Sequence, residues 1–157
     1  MLNILVIGSG AREHAIVRSL SRSSKKKEIY CLATNYNPGI AEVCKDMAVV
    51  DINDSETVKI YAKKKKIDFA IIGPENPLAN GVADALSDIG VESVGPKKDL
   101  AKIETSKSFT RNLLTEYKIP GCPKFKTFSS MEGVEEFLGE LGDYYVVKYD
   151  GLAGGKG

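Results

Sequence analysis

The chain alternates short apolar runs with longer segments in which apolar residues recur at helical spacing. Runs of strand length occupy residues 2–7, 28–33, 47–50, 67–72 and 91–94. Between them, the spacing predicts helices that begin near residues 11, 54, 77 and 98. Strands that alternate with helices through short links are typical of a parallel sheet. The pattern therefore predicts an α/β fold, with a parallel sheet and helices on both faces.

The pattern changes near residue 101. Residues 101–118 read as one long helix, and Ser129 is placed to cap a shorter helix over residues 130–141. Two further runs, residues 124–128 and 144–149, are rich in aromatic and β-branched side chains, which favour strands. We therefore expect a second region that mixes helices and strands.

The first turn, G-S-G-A-R-E-H over residues 8–14, joins a buried strand directly to a helix. Gly8 and Gly10 allow a sharp turn, and the free N–H groups at the helix start form a potential anion site. A dinucleotide remains the less favoured ligand of this turn, because Glu13 stands at the third glycine position of the fingerprint and no acid follows the second strand. Residues 12–14 favour either a phosphate that carries a polar body or a solvated first turn with an acid beside the helix dipole.

Three polar turns follow predicted strands, at residues 8–14, 34–39 and 73–78. In an open parallel sheet, ligands bind outside the carboxyl ends of the strands. We therefore expect the three turns to form one polar pocket, with Glu13 and Glu75 near each other. Glu75 is either a ligand contact in that pocket or an acid placed at a helix start.

The last predicted strand leads into a glycine-rich loop, D-G-L-A-G-G-K-G over residues 150–157. The loop is of the phosphate-cradling type, but its spacing and the missing Ser or Thr exclude a Walker A motif. The alternative is a solvated tail or linker. Lys148 stands inside the preceding apolar strand, so it either faces solvent or reaches a buried anion. Because such a loop needs a returning strand to hold it, we expect the front part of a longer enzyme.

Charge and cysteine content narrow the function classes. A formal net charge of +1 gives no sign of a nucleic-acid partner, and no apolar run predicts a membrane span or a signal peptide. Cys31, Cys44 and Cys122 match neither a zinc nor a disulfide framework. We therefore expect a cytoplasmic protein, with a buried thiol at Cys31 and no membrane partner. The sequence contains no Ser-His-Asp or Cys-His arrangement, so no catalytic residue is assigned.

Four motifs carry a family resemblance. They are G-S-G-A-R-E-H-A at residues 8–15, G-P-E-N-P-L at 73–78, S-K-S-F at 106–109 and K-Y-D-G-L-A-G-G-K-G at 148–157. In this order and spacing they resemble the phosphoribosylamine–glycine ligase family, ATP-grasp enzymes of purine biosynthesis. The resemblance covers the whole chain. It implies a Rossmann-like N-terminal domain over residues 1–101 and the first, incomplete part of an ATP-grasp region over residues 102–157.

The resemblance also implies two sets of site residues. The phosphoribosylamine site would consist of Gly8, Gly10, Arg12, Glu13, His14, Asn37, Gly39 and Glu75. The ATP site would consist of Lys107, Lys148, Gly151, Gly154, Gly155 and Lys156. The Mg²⁺ or Mn²⁺ ligands of the family, and most of its glycine site, are expected outside this chain.

The implied activity is the ATP-dependent ligation of glycine to 5-phosphoribosylamine, through a glycyl phosphate, to give glycinamide ribonucleotide. Phosphoryl transfer of this kind depends on positioning and charge neutralisation, which suits lysines, a metal ion and a closing loop. The partners would be these small-molecule substrates, and the chain alone is expected to be inactive. The alternatives are a non-catalytic module that binds a sugar phosphate and another ATP-grasp carboxylate–amine ligase.

Overall fold

The computed structural model describes residues 1–154. Contacts divide the chain between Ala101 and Lys102 into two compact units, called unit 1 and unit 2 below. The elements in chain order are β1 (Leu2–Ile7), α1 (Ala11–Ser21), β2 (Lys27–Ala33), α2 (Pro38–Ala41), β3 (Asp46–Val49), α3 (Ser55–Lys65), β4 (Phe69–Ile72), α4 (Glu75–Ala79), α5 (Val82–Ser87), β5 (Glu92–Val94), α6 (Lys98–Thr105), α7 (Lys107–Glu116) and α8 (Val134–Leu141).

Unit 1 is built on a sheet of five parallel strands in the order β3-β2-β1-β4-β5. Strand β1 pairs with β2 on one side, with Ile7 opposite Leu32, and with β4 on the other, with Ile7 opposite Ile72. The chain leaves β1 toward β2 and β3 and later returns to its other side for β4 and β5. The switch point of the sheet therefore lies between β1 and β4, where α/β proteins commonly bind ligands.

The two faces of the sheet are covered by different helices, because alternate residues of a strand point to opposite faces. On one face, Leu5, Ile7 and Leu32 pack in a cluster with Val58 of α3 and Leu86 of α5. On the other face, the buried residues of a second cluster include Val6, Cys31, Val17 of α1 and Ile40 of α2. The predicted parallel α/β fold, with helices on both faces, is confirmed.

Two helical details of unit 1 differ from the predictions. The segment predicted as one helix from residue 77 is two helices, α4 and α5, because Gly81 between them has a φ of +78°. Helix α4 begins at Glu75, two residues earlier than predicted, with Pro74 before it. The predicted turn at residues 34–39 also contains the start of α2, which Asn37 caps by accepting a hydrogen bond from Ile40 N at 3.2 Å.

The described part of unit 2, residues 102–154, contains helices and irregular segments. The predicted single helix over residues 101–118 is divided into α6 and α7 at Ser106, whose backbone is extended. The Ser106 hydroxyl accepts a hydrogen bond from Phe109 N at 3.1 Å and so caps α7. Among residues 1–154, no helix has both the length and the apolar character needed to cross a bilayer.

The two strands predicted in unit 2 are wrong. Residues 124–128 and 144–149 are irregular, and no strand is present between residues 102 and 154. A strand needs a neighbouring strand to satisfy its backbone N–H and C=O groups, and this segment offers none. Tyr144 is 95% exposed and Val147 is 79% exposed, so the apolar pattern of the second run is not matched by burial.

Candidate functional site

The first glycine turn and the turn after β4 lie side by side at the switch point. Gly8 N donates to Leu32 O at 2.8 Å, and Gly73 N donates to Ile7 O at 3.0 Å. These bonds continue the ladders of the sheet to its carboxyl edge. Gly8 has a φ of +120°, which an L side chain rarely adopts, so glycine is required there.

Glu13 lies inside this pair of turns. It is the third residue of α1 and is only 4% exposed. Its Oε2 accepts a hydrogen bond from Gly10 N at 2.7 Å, which is half of a capping box. A Cβ on Gly8 would lie 2.7 Å from Glu13 Cγ, and a Cβ on Gly73 would lie 2.5 Å from Glu13 Cδ. The glycines of both turns therefore make room for this one carboxylate.

Arg12 and Glu75 meet at the surface of the same site. Arg12 Nη2 lies 3.4 Å from Glu75 Oε2, and the two side chains are 70% and 36% exposed. Arg12 Nε also lies 3.8 Å from Glu13 Oε1. The structure thus brings the turn after β1 and the turn after β4 together through one guanidinium. At this exposure the pair adds little stability, and both groups remain open to a ligand.

The turn after β2 joins the other two. Asn37 Nδ2 donates to Ser9 O at 2.9 Å, so the Asn37 side chain ties the start of α2 to the first glycine turn. Gly39 packs against the imidazole of His14, since a Cβ there would lie 2.5 Å from His14 Cε1. All eight residues that the resemblance assigns to the sugar-phosphate pocket therefore lie in one cluster at the carboxyl edge of the sheet.

Two polar atoms of this cluster are buried without a hydrogen-bond partner among the described residues. They are Glu13 Oε1 and His14 Nε2. A buried polar atom without a partner is costly, and functional sites are one place where such atoms are found.

Cys31 lies beneath the first turn and donates from Sγ to Gly8 O at 3.4 Å. Burial raises the pKa of its thiol to about 12, so Cys31 is a neutral structural group.

In unit 2, Asp150 is bound to the N-terminus of α7. Its Oδ1 accepts from Lys107 N at 2.7 Å and from Ser108 N at 3.3 Å. The hydroxyls of Ser106 and Ser108 also donate to the carboxylate. The Ser108 hydroxyl above all, with the backbone N–H groups, holds the pKa of Asp150 below its usual value. The acid preceding the glycine-rich loop therefore caps α7.

Lys107 also contacts that loop, since its Nζ donates to Gly151 O at 2.6 Å. Gly154 lies at the end of the described loop with a φ of +55°. Lys148 lies exposed on the irregular segment before the loop. The structure thus joins Lys107 to Gly151 and leaves the Lys148 side chain in solvent. Gly155 and Lys156, also assigned to the nucleotide by the resemblance, lie outside the described residues.

Three residues of these clusters are not assigned a role from the sequence. Gly73 makes room for Glu13, and Asp150 and Ser106 together cap α7. Gly73 directly follows a predicted strand, and Asp150 is the first residue of the glycine-rich loop. Both positions therefore indicate a place near a site. What the sequence does not display is the distance between segments far apart along the chain.

Other parts of the described chain offer no competing site. Among residues 1–154, no group of three or more His, Cys, Asp or Glu side chains is arranged to hold a metal ion. A shallow depression lies at the opposite, amino end of the sheet, lined by Ser21, Lys27, Glu28, Ile29, Val43, Cys44 and Lys45. Its charged groups Lys45 and Glu28 are paired with each other at 2.5 Å.

Comparison with known proteins identifies the family of the chain. Residues 2–104 match the N domain of phosphoribosylglycinamide synthetase. The chain belongs to this family. Residues 105–157 match the ATP-grasp (A) domain of the same family, so the two matches meet near the boundary between the two units.

Relatives of known name extend the family match to the whole chain. A phosphoribosylamine–glycine ligase of Methanococcoides burtonii is 44% identical over 156 residues, which are 99% of this chain and 36% of the relative. The enzyme of Methanopyrus kandleri is 45% identical over 158 residues, which are 100% of this chain and 35% of the relative. The chain thus spans about a third of the length of the curated relatives it matches.

Solved structures share the fold. The N5-carboxyaminoimidazole synthetase of Staphylococcus aureus, complexed with ADP, superimposes with a TM-score of 0.71 at 13% sequence identity. The match covers 90% of this chain and 36% of that enzyme. At this identity the likeness concerns the fold alone.

Proposed function

We propose that this chain is the N-terminal part of a ligase that joins glycine to 5-phosphoribosylamine and uses ATP to form glycinamide ribonucleotide through a glycyl phosphate. The observation that carries the proposal is the 44% identity to a phosphoribosylamine–glycine ligase over 99% of the chain. The family match of residues 2–104 and 105–157 supports the same role.

The cluster at the carboxyl edge of the sheet is the proposed phosphoribosylamine pocket. Arg12 supplies an exposed guanidinium, the group best suited to a planar or bidentate contact with a phosphate. Glu75 supplies a carboxylate that can accept hydrogen bonds from sugar hydroxyls. Asn37 and Gly39 shape the third side of the pocket. Asn37 is held by its hydrogen bond to Ser9 O, and His14 packs on Gly39.

The proposed nucleotide contacts lie in unit 2. Lys107 and Lys148 are the cations assigned to the ATP phosphates, and Gly151 and Gly154 belong to the loop beside them. ATP, when bound, supplies the phosphoryl group that activates the glycine carboxylate. The related fold of the Staphylococcus aureus enzyme holds ADP, which supports a nucleotide site of this class. No group of three or more His, Cys, Asp or Glu side chains gathers among residues 1–154, and no Mg²⁺ or Mn²⁺ ligand is assigned to them.

A binding measurement tests the pocket. Ribose 5-phosphate, a stable analogue of the substrate, is titrated into the chain and its dissociation constant is measured by calorimetry. Arg12→Ala and Glu75→Gln are each expected to raise that constant about tenfold or more, because each removes a hydrogen bond to or from a charged group. Lys45→Ala is the matched control, since it breaks an exposed ion pair at the opposite end of the sheet.

Failure of ribose 5-phosphate to bind, or equal weakening by the control, would contradict the pocket. Binding of a carboxylate compound in place of ribose 5-phosphate would favour a different ATP-grasp ligase. Because a non-catalytic module could also bind the sugar phosphate, the activity itself is assayed with ATP, glycine and phosphoribosylamine on the protein extended to the length of its relatives.

A further inference from the structure

We propose that Glu13 occupies the anion site of the first glycine turn from inside the protein and thereby excludes phosphate groups from the N-terminus of α1. This exclusion leaves only the rest of the pocket proposed above for the phosphate of the ligand. It rests on the proposed function only for the identity of that ligand. The phosphate of the sugar must then contact other groups of the pocket, of which Arg12 is the exposed cation.

The donor that a phosphate would need is already taken. Gly10 N–H donates to Glu13 Oε2 at 2.7 Å, a length typical of a bond to a charged acceptor. Gly10 is the residue that precedes α1, an eleven-residue helix whose first amides otherwise attract anions. The carboxylate therefore neutralises this end of the helix, and a second anion there would meet its negative charge.

The space that a phosphate would need is also taken. In a dinucleotide-binding turn, glycines let the ligand approach the backbone closely. Here a Cβ on Gly10 would lie 2.9 Å from Glu13 Oε2, and those on Gly8 and Gly73 would be nearer still to the Glu13 side chain. The space beside these glycines is therefore filled by the Glu13 side chain.

One atom of Glu13 remains unsatisfied. Its Oε1 is buried, has no hydrogen-bond partner among residues 1–154, and lies 3.8 Å from Arg12 Nε. An acceptor in this position disfavours an anion and favours a donor such as a hydroxyl or an amine. The turn is thus built to reject phosphate and pyrophosphate, although its sequence differs from a dinucleotide fingerprint mainly at Glu13.

Amide NMR of the 157-residue chain tests the inference, with inorganic phosphate as the probe. In the native chain, phosphate is expected to leave the Gly10 amide signal unchanged. In Glu13→Ala, the freed amide and helix end are expected to bind phosphate about ten- to a hundredfold more tightly, read at the Gly10 signal. Glu28→Gln is the matched control, because it removes a carboxylate at the opposite end of the sheet and should give no such gain.

Saturable movement of the Gly10 signal in the native chain would overturn the inference, whether or not the alanine variant folds. Glu13→Gln keeps the shape and an acceptor oxygen, so it is expected to gain less phosphate affinity than the alanine variant. Equal phosphate affinity at the Gly10 signal in the native chain, Glu13→Ala and Glu13→Gln would also overturn the inference. Failure of ribose 5-phosphate to shift any signal of the pocket would contradict the proposed function alone, since the phosphate results stand without it.

Discussion

The two units of this chain are stabilised by different means. Unit 1 has fully buried side chains on both faces of its sheet, including Leu5, Leu32 and Val17. In the described part of unit 2, residues 102–154, no residue is buried, and Tyr144 and Val147 are largely exposed. Since burial of apolar surface is the main favourable term in folding, unit 1 carries most of the stability.

Polar contacts consequently have different weight in the two units. In unit 1, the pair formed by Asp46 and Tyr61 adds to an existing core. In unit 2, Asp150 gathers several donors at the start of α7 and is the main link between that helix and the glycine loop. Unit 2 therefore depends on local hydrogen bonds, whereas unit 1 depends on packing.

The largest expected effect comes from the core of unit 1. Leu32→Ala removes a fully buried side chain, which lowers the free energy of unfolding by about 2–5 kcal/mol through lost burial and the cavity left behind. The effect is measured by urea unfolding followed by circular dichroism. Val147→Ala, at a residue 79% exposed, is the control and should change stability by less than about 0.5 kcal/mol. Similar losses of unfolding free energy in both variants would contradict the difference in stability between the two units.

A smaller effect is expected at Asp150. Asp150→Ala removes one of the two side chains that cap α7, the other being Ser106, and the loss of a cap costs a helix about 1 kcal/mol. Hydrogen exchange at the amides of Lys107 and Ser108, its bonded donors, should become faster, while exchange in β1 stays unchanged. Asp143→Ala, which removes an exposed acid of the same unit, is the control. Unchanged exchange at both amides would show that the cap does not hold the helix.

The smallest effect is expected at Asp46. Hydrogen bonds from Lys65 first and Tyr61 second lower the pKa of its carboxyl, which is 37% exposed. Its stabilisation is therefore present above the ordinary aspartate pKa of about 4 and is lost as the pH falls through the lowered value. Asp46→Asn should cost less than about 1 kcal/mol at neutral pH, because solvent screens the pair.

The measurement is urea unfolding of the native chain and Asp46→Asn at several pH values. The difference between them should disappear below the lowered pKa. A difference that grows as the pH falls would contradict the assigned direction. Tyr61→Phe, which keeps the ring and removes one donor, should show a weaker form of the same dependence.

The sequence predicts unit 1 far better than unit 2, for a physical reason. Strands β1, β2 and β4 carry short apolar runs, and the partners of all five strands lie within the same unit, so local pattern and pairing agree. Residues 124–128 and 144–149 have strand-like composition, but strand formation depends on a partner that the local pattern does not reveal. The sequence does not predict the helix breaks at Gly81 and Ser106, because apolar residues continue on both sides of each break.

The position of the candidate site followed from topology, whereas its inner arrangement did not. Turns at the carboxyl ends of parallel strands had to converge, and the structure places Arg12 and Glu75 3.4 Å apart. The glycines of these turns suggested space for a phosphate. Only the folded structure shows that Glu13 fills this space, because the approach of Gly73 to Glu13 joins residues sixty positions apart.

The Glu13 side chain fills the space where a Cβ on residue 73 would lie. A double-mutant cycle measures this contact. Gly73→Ala alone should lower the unfolding free energy by about 1–3 kcal/mol, because its Cβ would lie 2.5 Å from Glu13 Cδ. Gly139→Ala, in α8 with open space around it, is the control for the glycine-to-alanine change. In the Glu13→Ala background, Gly73→Ala should lose most of its cost, which gives a coupling of about 1 kcal/mol or more. Additive losses within about 0.5 kcal/mol would contradict the claim.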